Sequence, residues 1–140
     1  MSGFIRICCL ATGLFFFTNS TAADESYKVV LQISDASISR QTLVLNVAEN
    51  LQAEFGASLK LEIVAFGPGL NLMMAGTSQA RRLQSLSKKG VKLLACRNTA
   101  TKMTKLTGKK IKLHPDVDFT GGGAPHIVRL VNQGYVLLRP

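Results

Sequence analysis

Short, almost uninterrupted apolar runs alternate along this chain with longer segments that have the periodicity of amphipathic helices. The first run, residues 27–33, is followed by residues 39–55, in which Leu43, Val47 and Leu51 recur four residues apart. A strand that is buried on both faces of a sheet lacks the alternation of polar and apolar residues, and parallel strands are typically buried in this way. The pattern therefore predicts an α/β fold with a mostly parallel sheet covered by helices.

The same alternation continues to the C-terminus. It predicts strands at residues 27–33, 60–66, 91–95, 117–120 and 135–138, and helices at residues 39–55, 70–74, 78–88, 98–106 and 124–133. The links between these segments are short, and there is no internal repeat or low-complexity stretch. We therefore expect a flavodoxin-like three-layer sandwich with a five-stranded sheet.

Cys96 ends the third predicted strand, so it should lie at the carboxyl edge of the sheet, where α/β proteins bind ligands. The N-terminus of the following helix and the adjacent Arg97 would both favour the thiolate. Glycines and N-cap residues in the loops at this edge offer free backbone N–H groups to an anion. The predicted site consists of a catalytic Cys96 and the ligand-binding residues Gly67, Pro68, Gly69, Arg97, Asn98 and Thr99.

The N-terminus has the layout of a secretory signal peptide. Arg6 precedes an apolar run at residues 7–17, and the small residues Thr21, Ala22 and Ala23 follow after a polar stretch. The apolar run is shorter than the roughly 20 residues that a membrane span needs. We therefore expect a cleaved signal peptide at residues 1–23 and a single domain at residues 24–140. The mature protein would be periplasmic and not an integral membrane protein, and a membrane-anchored N-terminal helix is the less favoured alternative.

Cleavage would remove Cys8 and Cys9 and leave Cys96 without an intramolecular disulfide partner. A single thiol in an exported protein forms an intermolecular bridge, reacts, or is buried and passive. Composition alone does not distinguish a reactive Cys96 from a buried, passive one.

The formal net charge is +9, and basic residues are concentrated in residues 81–112. No acidic residue lies between Glu62 and Asp116, and no aromatic residue between Phe66 and Phe119. Because the binding of nucleic-acid bases normally uses aromatic side chains among the basic ones, nucleic acid is not an expected partner. The lysines form either a solvated face or a field that attracts small anions such as oxidised sulfur species.

The sequence lacks the motifs that several kinds of chemistry require. There is no Cys-x-x-Cys pair for dithiol exchange, and Cys96, His114 and His126 do not have the spacing of metal ligands. No cofactor motif is present, so neither a metal nor a cofactor is expected. His126, in the first turn of the last predicted helix, is interpreted as a surface or capping residue. The chemistry that suits an isolated cysteine at an anion-binding edge is the carriage of a group as a covalent adduct, and persulfide transfer is the natural candidate.

Residues 64–70, 90–99, 121–124, 127–130 and 134–140 together resemble the DsrE/DsrF-like family of sulfur-relay proteins. The resemblance spans nearly the whole predicted domain. It implies a flavodoxin-like fold, a homo-oligomer that is often a trimer or hexamer, and persulfide sulfur carried at the position of Cys96. It also implies a sulfur donor or acceptor protein, or a small sulfur species, as partner. The relay members are cytoplasmic, whereas this N-terminus is typical of an exported branch.

Three functions remain open on the sequence. The first is a periplasmic sulfur carrier or sulfurtransferase that uses Cys96. The second is a non-catalytic oligomeric binding module that holds a small anion or ligand at the glycine-rich edge. The third is an interaction protein in which Cys96 is merely packed.

Overall fold

The computed structural model describes residues 26–140, so the predicted signal peptide at residues 1–23 lies outside the described residues. The described chain contains one five-stranded parallel sheet in the order β4-β3-β2-β1-β5. Its strands are β1 (Tyr27–Ile33), β2 (Leu59–Ala65), β3 (Lys92–Cys96), β4 (Asp118–Thr120) and β5 (Val136–Leu138). The expected α/β class and flavodoxin-like parallel sheet are confirmed.

The helices lie on both faces of this sheet. They are α1 (Ile38–Phe55), α2 (Ala80–Lys88), α3 (Arg97–Thr107) and α4 (Gly123–Asn132), with 3-10 segments at Gly56–Ser58 and Gly67–Met73. Strands β1 to β4 follow one another in one direction, so right-handed crossovers place α1, α2 and α3 on the same face. Strand β5 returns to the far side of β1, and this reversal places α4 on the opposite face.

Two hydrophobic cores follow from the alternation of side chains along the strands. The larger core joins Leu31 and Ile63 of the sheet to Leu45 and Leu83 of α1 and α2. The smaller core lies beneath α4 and contains Val30, Val64, Ile127 and Leu130. Strands β1, β2 and β3 therefore contribute apolar residues to both faces, which explains why they appear in the sequence as nearly continuous apolar runs.

The start of α3 differs from the prediction. The sequence predicted a helix at residues 98–106, but α3 begins at Arg97 and Cys96 occupies the N-cap position. The backbone of Cys96 is extended, with φ −68° and ψ 114°, as is usual for an N-cap residue. The last residue of β3 thus also begins α3, which leaves Asn98 and Thr99 in the first helical turn.

Within residues 26–140, no helix has both the length and the apolar character that a bilayer crossing requires.

Candidate active site

Cys96 lies at the carboxyl edge of the sheet, between the N-terminal ends of α3 and α4. It is buried, with 5% of its surface exposed. The backbone N–H of Gly123, the first residue of α4, donates a hydrogen bond to Cys96 Sγ over an N–S distance of 3.2 Å. In the protonated state the thiol can donate to the Gly121 carbonyl oxygen, 4.0 Å away. Cys96 therefore directly precedes α3 in the sequence, while its sulfur contacts the first residue of α4.

The environment of Cys96 favours the thiolate. Burial raises the pKa of the thiol, but donors around the sulfur outweigh it and hold the pKa below the ordinary value of 9.0. These groups are the Gly123 N–H, which donates a hydrogen bond to the sulfur, and the Thr99 hydroxyl and the backbone N–H groups of Thr99 and Asn98, which form no capping hydrogen bond with it. Because the N–H groups belong to the first turns of two helices, both helix dipoles act on the sulfur in the same sense. The thiolate is the nucleophilic form of cysteine, so a lowered pKa increases the fraction of the sulfur in that form.

Thr99 connects the sulfur to the loop after β2. Its hydroxyl oxygen accepts a hydrogen bond from the backbone N–H of Gly67, with an N–O distance of 3.1 Å. Since the Gly67 N–H occupies the oxygen as an acceptor, the hydroxyl proton of Thr99 remains available for Cys96. Two loops that are distant in sequence are thereby joined at the site.

The three residues of the predicted Gly67-Pro68-Gly69 loop have different environments. Gly67 has a φ of +53° and provides the N–H that binds Thr99. Pro68 is exposed at the start of the 3-10 segment. Gly69 is buried, and a Cβ at this position would lie 2.4 Å from the carbonyl oxygen of Ile33. Gly69 is therefore required for close packing of this loop against the end of β1.

Arg97 and Asn98 are also brought to this edge, but their side chains do not converge on the sulfur. The Arg97 guanidinium lies over the Phe119 ring, 4.7 Å from its centroid, in a cation–π contact. Arg97 is not among the groups that lower the pKa of Cys96, so the thiolate depends on N–H groups and a hydroxyl. The Asn98 backbone N–H donates to the Gly121 carbonyl oxygen at 3.3 Å and ties α3 to the loop before α4.

Gly123 contacts Cys96 directly, although the predicted site did not include it. Its N–H binds the sulfur, and a Cβ on it would lie 2.8 Å from Cδ1 of Phe66. The run of three glycines at residues 121–123 was a signal for a close approach of the backbone. The partner could not be identified from that run, because it depends on the path by which α4 returns over the sheet.

His126 binds the sheet and makes no hydrogen bond to the sulfur. Its Nε2 lies 2.8 Å from Oε2 of Glu62, whose other carboxylate oxygen lies 3.3 Å from Lys92 Nζ. Glu62 is buried beneath α4. The interpretation of His126 as a surface or capping residue was therefore wrong, since it pairs with a buried carboxylate. The signal for Glu62 was an acidic residue between the apolar residues Leu61 and Ile63 of a strand.

A cavity of about 610 Å³ opens beside Thr99, between α3 and the Gly67–Met73 segment. Its lining is mainly apolar and includes Phe66, Gly67, Thr99, Lys102, Met103 and Leu106. Within residues 26–140, no group of three or more His, Cys, Asp or Glu side chains has the arrangement of a metal site.

The fold and the site define a small parallel α/β protein with a hydrogen-bonded cysteine at the carboxyl edge of its sheet. No family model matches the chain, and no curated protein matches it. Among solved structures, the chain is similar to MTH1491 from Methanobacterium thermoautotrophicum, described as a protein of unknown function. The two are 30% identical with a TM-score of 0.73, over 82% of this chain and 100% of that one.

The chain therefore belongs to the same family as MTH1491, and it has the DsrE/DsrF-like fold that the resemblance implied. It is also similar to the ychN protein from E. coli, with 15% identity and a TM-score of 0.65. That match covers 81% of this chain and 99% of the other, and it supports the fold alone.

Proposed function

We propose that this protein carries sulfane sulfur as a persulfide on Cys96, as a sulfurtransferase or sulfur-relay carrier. The observation that supports this proposal best is the position of Cys96 Sγ, which faces the N-terminal ends of two helices and the Thr99 hydroxyl. These donors stabilise negative charge on the sulfur. The outer sulfur of a persulfide is also anionic, and it would lie at the same glycine-rich edge.

The transfer is a pair of nucleophilic displacements. The Cys96 thiolate attacks the sulfane sulfur of a donor persulfide, the S–S bond of the donor breaks, and the donor thiolate leaves with the bonding electrons. An acceptor thiolate then attacks the outer sulfur on Cys96, and Cys96 leaves as a thiolate. A lowered pKa makes Cys96 a better leaving group in this second step.

This mechanism does not require a histidine at the sulfur. His126 is hydrogen-bonded to Glu62, and Nδ1 of His114 accepts the Asp116 backbone N–H at 3.2 Å. A general base is needed where the nucleophile is protonated, whereas the donors around Cys96 favour its ionised form. The arrangement therefore suits a carrier that exchanges sulfur with partners.

The partners that fit this proposal are a sulfur donor or acceptor protein, or a small anionic sulfur species. The absence of acidic residues between Glu62 and Asp116 supports an anionic partner, because the site lies within this basic stretch. A homo-oligomer, either a trimer or a hexamer, is part of the proposal. The exposed apolar residues Val128 and Val131 on α4 support it.

Export to the periplasm is also proposed, on the arrangement of Arg6, the apolar run at residues 7–17 and the small residues that end at Ala23. Fractionation of cells that express the full chain, followed by N-terminal sequencing of the product, tests it. A periplasmic protein whose sequence begins near residue 24 is the expected result. Recovery of the uncleaved chain from the cytoplasm would contradict export.

The direct test of sulfur carriage is intact-mass measurement after incubation with inorganic polysulfide. The wild-type protein should gain the mass of one sulfur atom, and dithiothreitol should remove it. Cys96→Ser should gain nothing, and prior alkylation of Cys96 should prevent the gain. If the native thiol resists both alkylation and sulfur loading, Cys96 is a packed residue and the proposal is wrong.

The second candidate is a non-catalytic binding module. The cavity beside Thr99 favours it, because Cys96 is not part of the cavity lining. In that case a ligand should raise the midpoint of thermal unfolding equally in the wild type and in Cys96→Ser. No sulfur would be transferred in either protein.

A further inference from the structure

We infer that the cavity between α3 and the Gly67–Met73 segment binds the apolar body of an organic anion that delivers sulfane sulfur to Cys96. The ligand class is an organic thiosulfonate or persulfide with a hydrophobic substituent. This inference rests on the proposed sulfur transfer to Cys96. It adds a substrate class and a binding site for the part of the donor that does not react.

The cavity is joined to the sulfur by Thr99. This residue lines the cavity and lies in the first turn of α3, three residues after Cys96, and its hydroxyl is among the groups that lower the pKa of that cysteine. Gly67 lines the cavity and binds the Thr99 hydroxyl oxygen. Phe66 forms part of the wall and lies against Gly123, whose N–H binds the sulfur. A ligand in the cavity would therefore lie next to the residues that hold Cys96.

The lining is suited to an apolar group next to a negative charge. Thr99, Met103 and Leu106 recur at helical spacing on one face of α3, so they present a continuous strip to the cavity. Leu106 is 76% exposed, although it is a large apolar side chain in a helix. Lys102 is the charged residue of the lining. An apolar body would cover Leu106, and its anionic group would face Lys102.

The size of the cavity favours an organic donor. Sites for small organic ligands are typically about 300–1,000 Å³, and this cavity of about 610 Å³ falls in that range. An inorganic sulfur anion would fill a small part of it and would leave the apolar wall in contact with water. A second cavity along α3 is lined by Arg97, Lys105 and Lys110, but Thr99 does not line it, so it lacks the connection to Cys96.

The transfer from an organic thiosulfonate is balanced without another reactant. The Cys96 thiolate attacks the sulfane sulfur, and the bond between that sulfur and the sulfonyl sulfur breaks. The sulfinate leaves with the bonding electron pair, and Cys96 becomes a persulfide anion. One unit of negative charge is present on each product, as on each reactant.

The test compares two donors that have the same reacting group. Benzenethiosulfonate carries an aromatic ring, whereas methanethiosulfonate carries a methyl group. Sulfur loading of Cys96 is followed by intact mass, and each rate is divided by the rate of free cysteine with the same donor. We expect the normalised rate of the aromatic donor to be about ten times that of the methyl donor, because the ring moves from water into the apolar cavity.

Variants on α3 locate the effect. Leu106→Gln should bring this ratio of rates close to one, since it replaces the most exposed apolar part of the cavity wall. Lys105→Gln is the matched control, because Lys105 lies on the same helix but lines the other cavity. It should keep the wild-type ratio. Equal reductions in both variants would overturn the inference.

Binding is measured separately from transfer with benzenesulfonate, which has no sulfane sulfur to give. Added to Cys96→Ser, it should shift the amide resonances of Gly67, Thr99 and Lys102, and Leu106→Gln should weaken this response. If both donors load Cys96 at the same normalised rate and benzenesulfonate does not bind, the inference is wrong. Sulfur carriage on Cys96 would remain intact in that case. Binding of benzenesulfonate without loading from any donor would overturn both the sulfur delivery inferred here and the proposed function.

Discussion

At the scale of single residues, the site depends on a cysteine in a position that usually holds Ser, Thr, Asp or Asn. Cys96 is the N-cap of α3, but its sulfur forms no capping hydrogen bond with the first turn and instead accepts the N–H of Gly123 on α4. Sulfur is a weak acceptor as a thiol and a much stronger one as a thiolate. The N-cap position therefore couples the ionisation of Cys96 to the starts of two helices, whose dipoles favour the thiolate.

Replacement of Thr99 tests this coupling. Thr99→Val removes the hydroxyl donor and leaves the Gly67 N–H unpaired, so the pKa of Cys96 should rise towards 9.0. The rate of iodoacetamide alkylation against pH should have its midpoint below 9.0 in the wild type and a higher midpoint in Thr99→Val. Thr99→Ser retains the hydroxyl and should keep the wild-type midpoint. Identical midpoints in all three proteins would exclude a role for the hydroxyl.

The position of Cys96 at the carboxyl edge of the sheet could be predicted from sequence because it ends an apolar run before a helical segment. The source of its lowered pKa could not be predicted. Arg97 was the obvious charged neighbour, but adjacent residues at a helix start point in different directions, and its guanidinium lies on Phe119. Gly123 is 27 residues away in the chain and acts through its backbone, which has no sequence signature beyond the glycine itself.

At the scale of secondary-structure elements, α4 determines the site as much as α3 does. Its first residue binds the sulfur, and its first turn is attached to β2 through His126 and Glu62. In residues 26–140, the five strands and four α-helices were predictable because each has its own apolar pattern. The contact between the two helix starts was not, since it depends on the crossover that carries α4 to the other face.

Gly123→Ala should displace the start of α4. The added Cβ would lie 2.8 Å from Phe66 Cδ1 and 3.0 Å from its Cβ, so either the ring or the helix must move. We expect a loss of about 1–3 kcal/mol in the free energy of unfolding by urea, as for other overpacked positions. Alkylation of Cys96 should also need a higher pH. Gly121→Ala is the control, because no atom lies within 4 Å of a Cβ there, and it should change neither measurement.

The attachment of α4 to the sheet should depend on His126 more than on Lys92. His126→Ala leaves the buried carboxylate of Glu62 without its hydrogen bond at 2.8 Å, and should cost about 1–3 kcal/mol. Lys92 is largely exposed and lies 3.3 Å from the same carboxylate, so Lys92→Gln should cost less than about 1 kcal/mol. Urea unfolding at neutral pH measures both. A larger cost for Lys92→Gln would show that the ion pair, and not the histidine, holds Glu62.

At the scale of the whole molecule, the two faces of the sheet are covered unequally. In the described part of the chain, α1, α2 and α3 lie on one face, and α4 lies on the other. Sequence patterns predicted a parallel sheet with short links, but the order of its strands is a property of the packing. The placement of β5 beside β1 brings α4 across β2, and it also leaves apolar side chains of α4 and β5 at the surface.

These exposed side chains lead to a prediction about assembly. Val128, Val131 and Leu137 are all exposed, although Leu137 lies on the face of the sheet that α4 covers. At about 100° per residue, Val128 and Val131 fall on the flank of α4 opposite His126. An apolar surface beside a short edge strand is a suitable interface between copies of the chain.

Val128→Glu should therefore lower the molar mass measured by light scattering after gel filtration, from that of a trimer or hexamer towards that of the monomer. The carboxylate would be buried without a partner in an assembled interface, which is costly. Ile38→Glu is a closely matched control, because Ile38 is 60% exposed on α1 and Val128 is 59% exposed on α4. The control should keep the wild-type mass. A monomeric wild-type protein, or equal dissociation of both variants, would contradict an interface at α4 and β5.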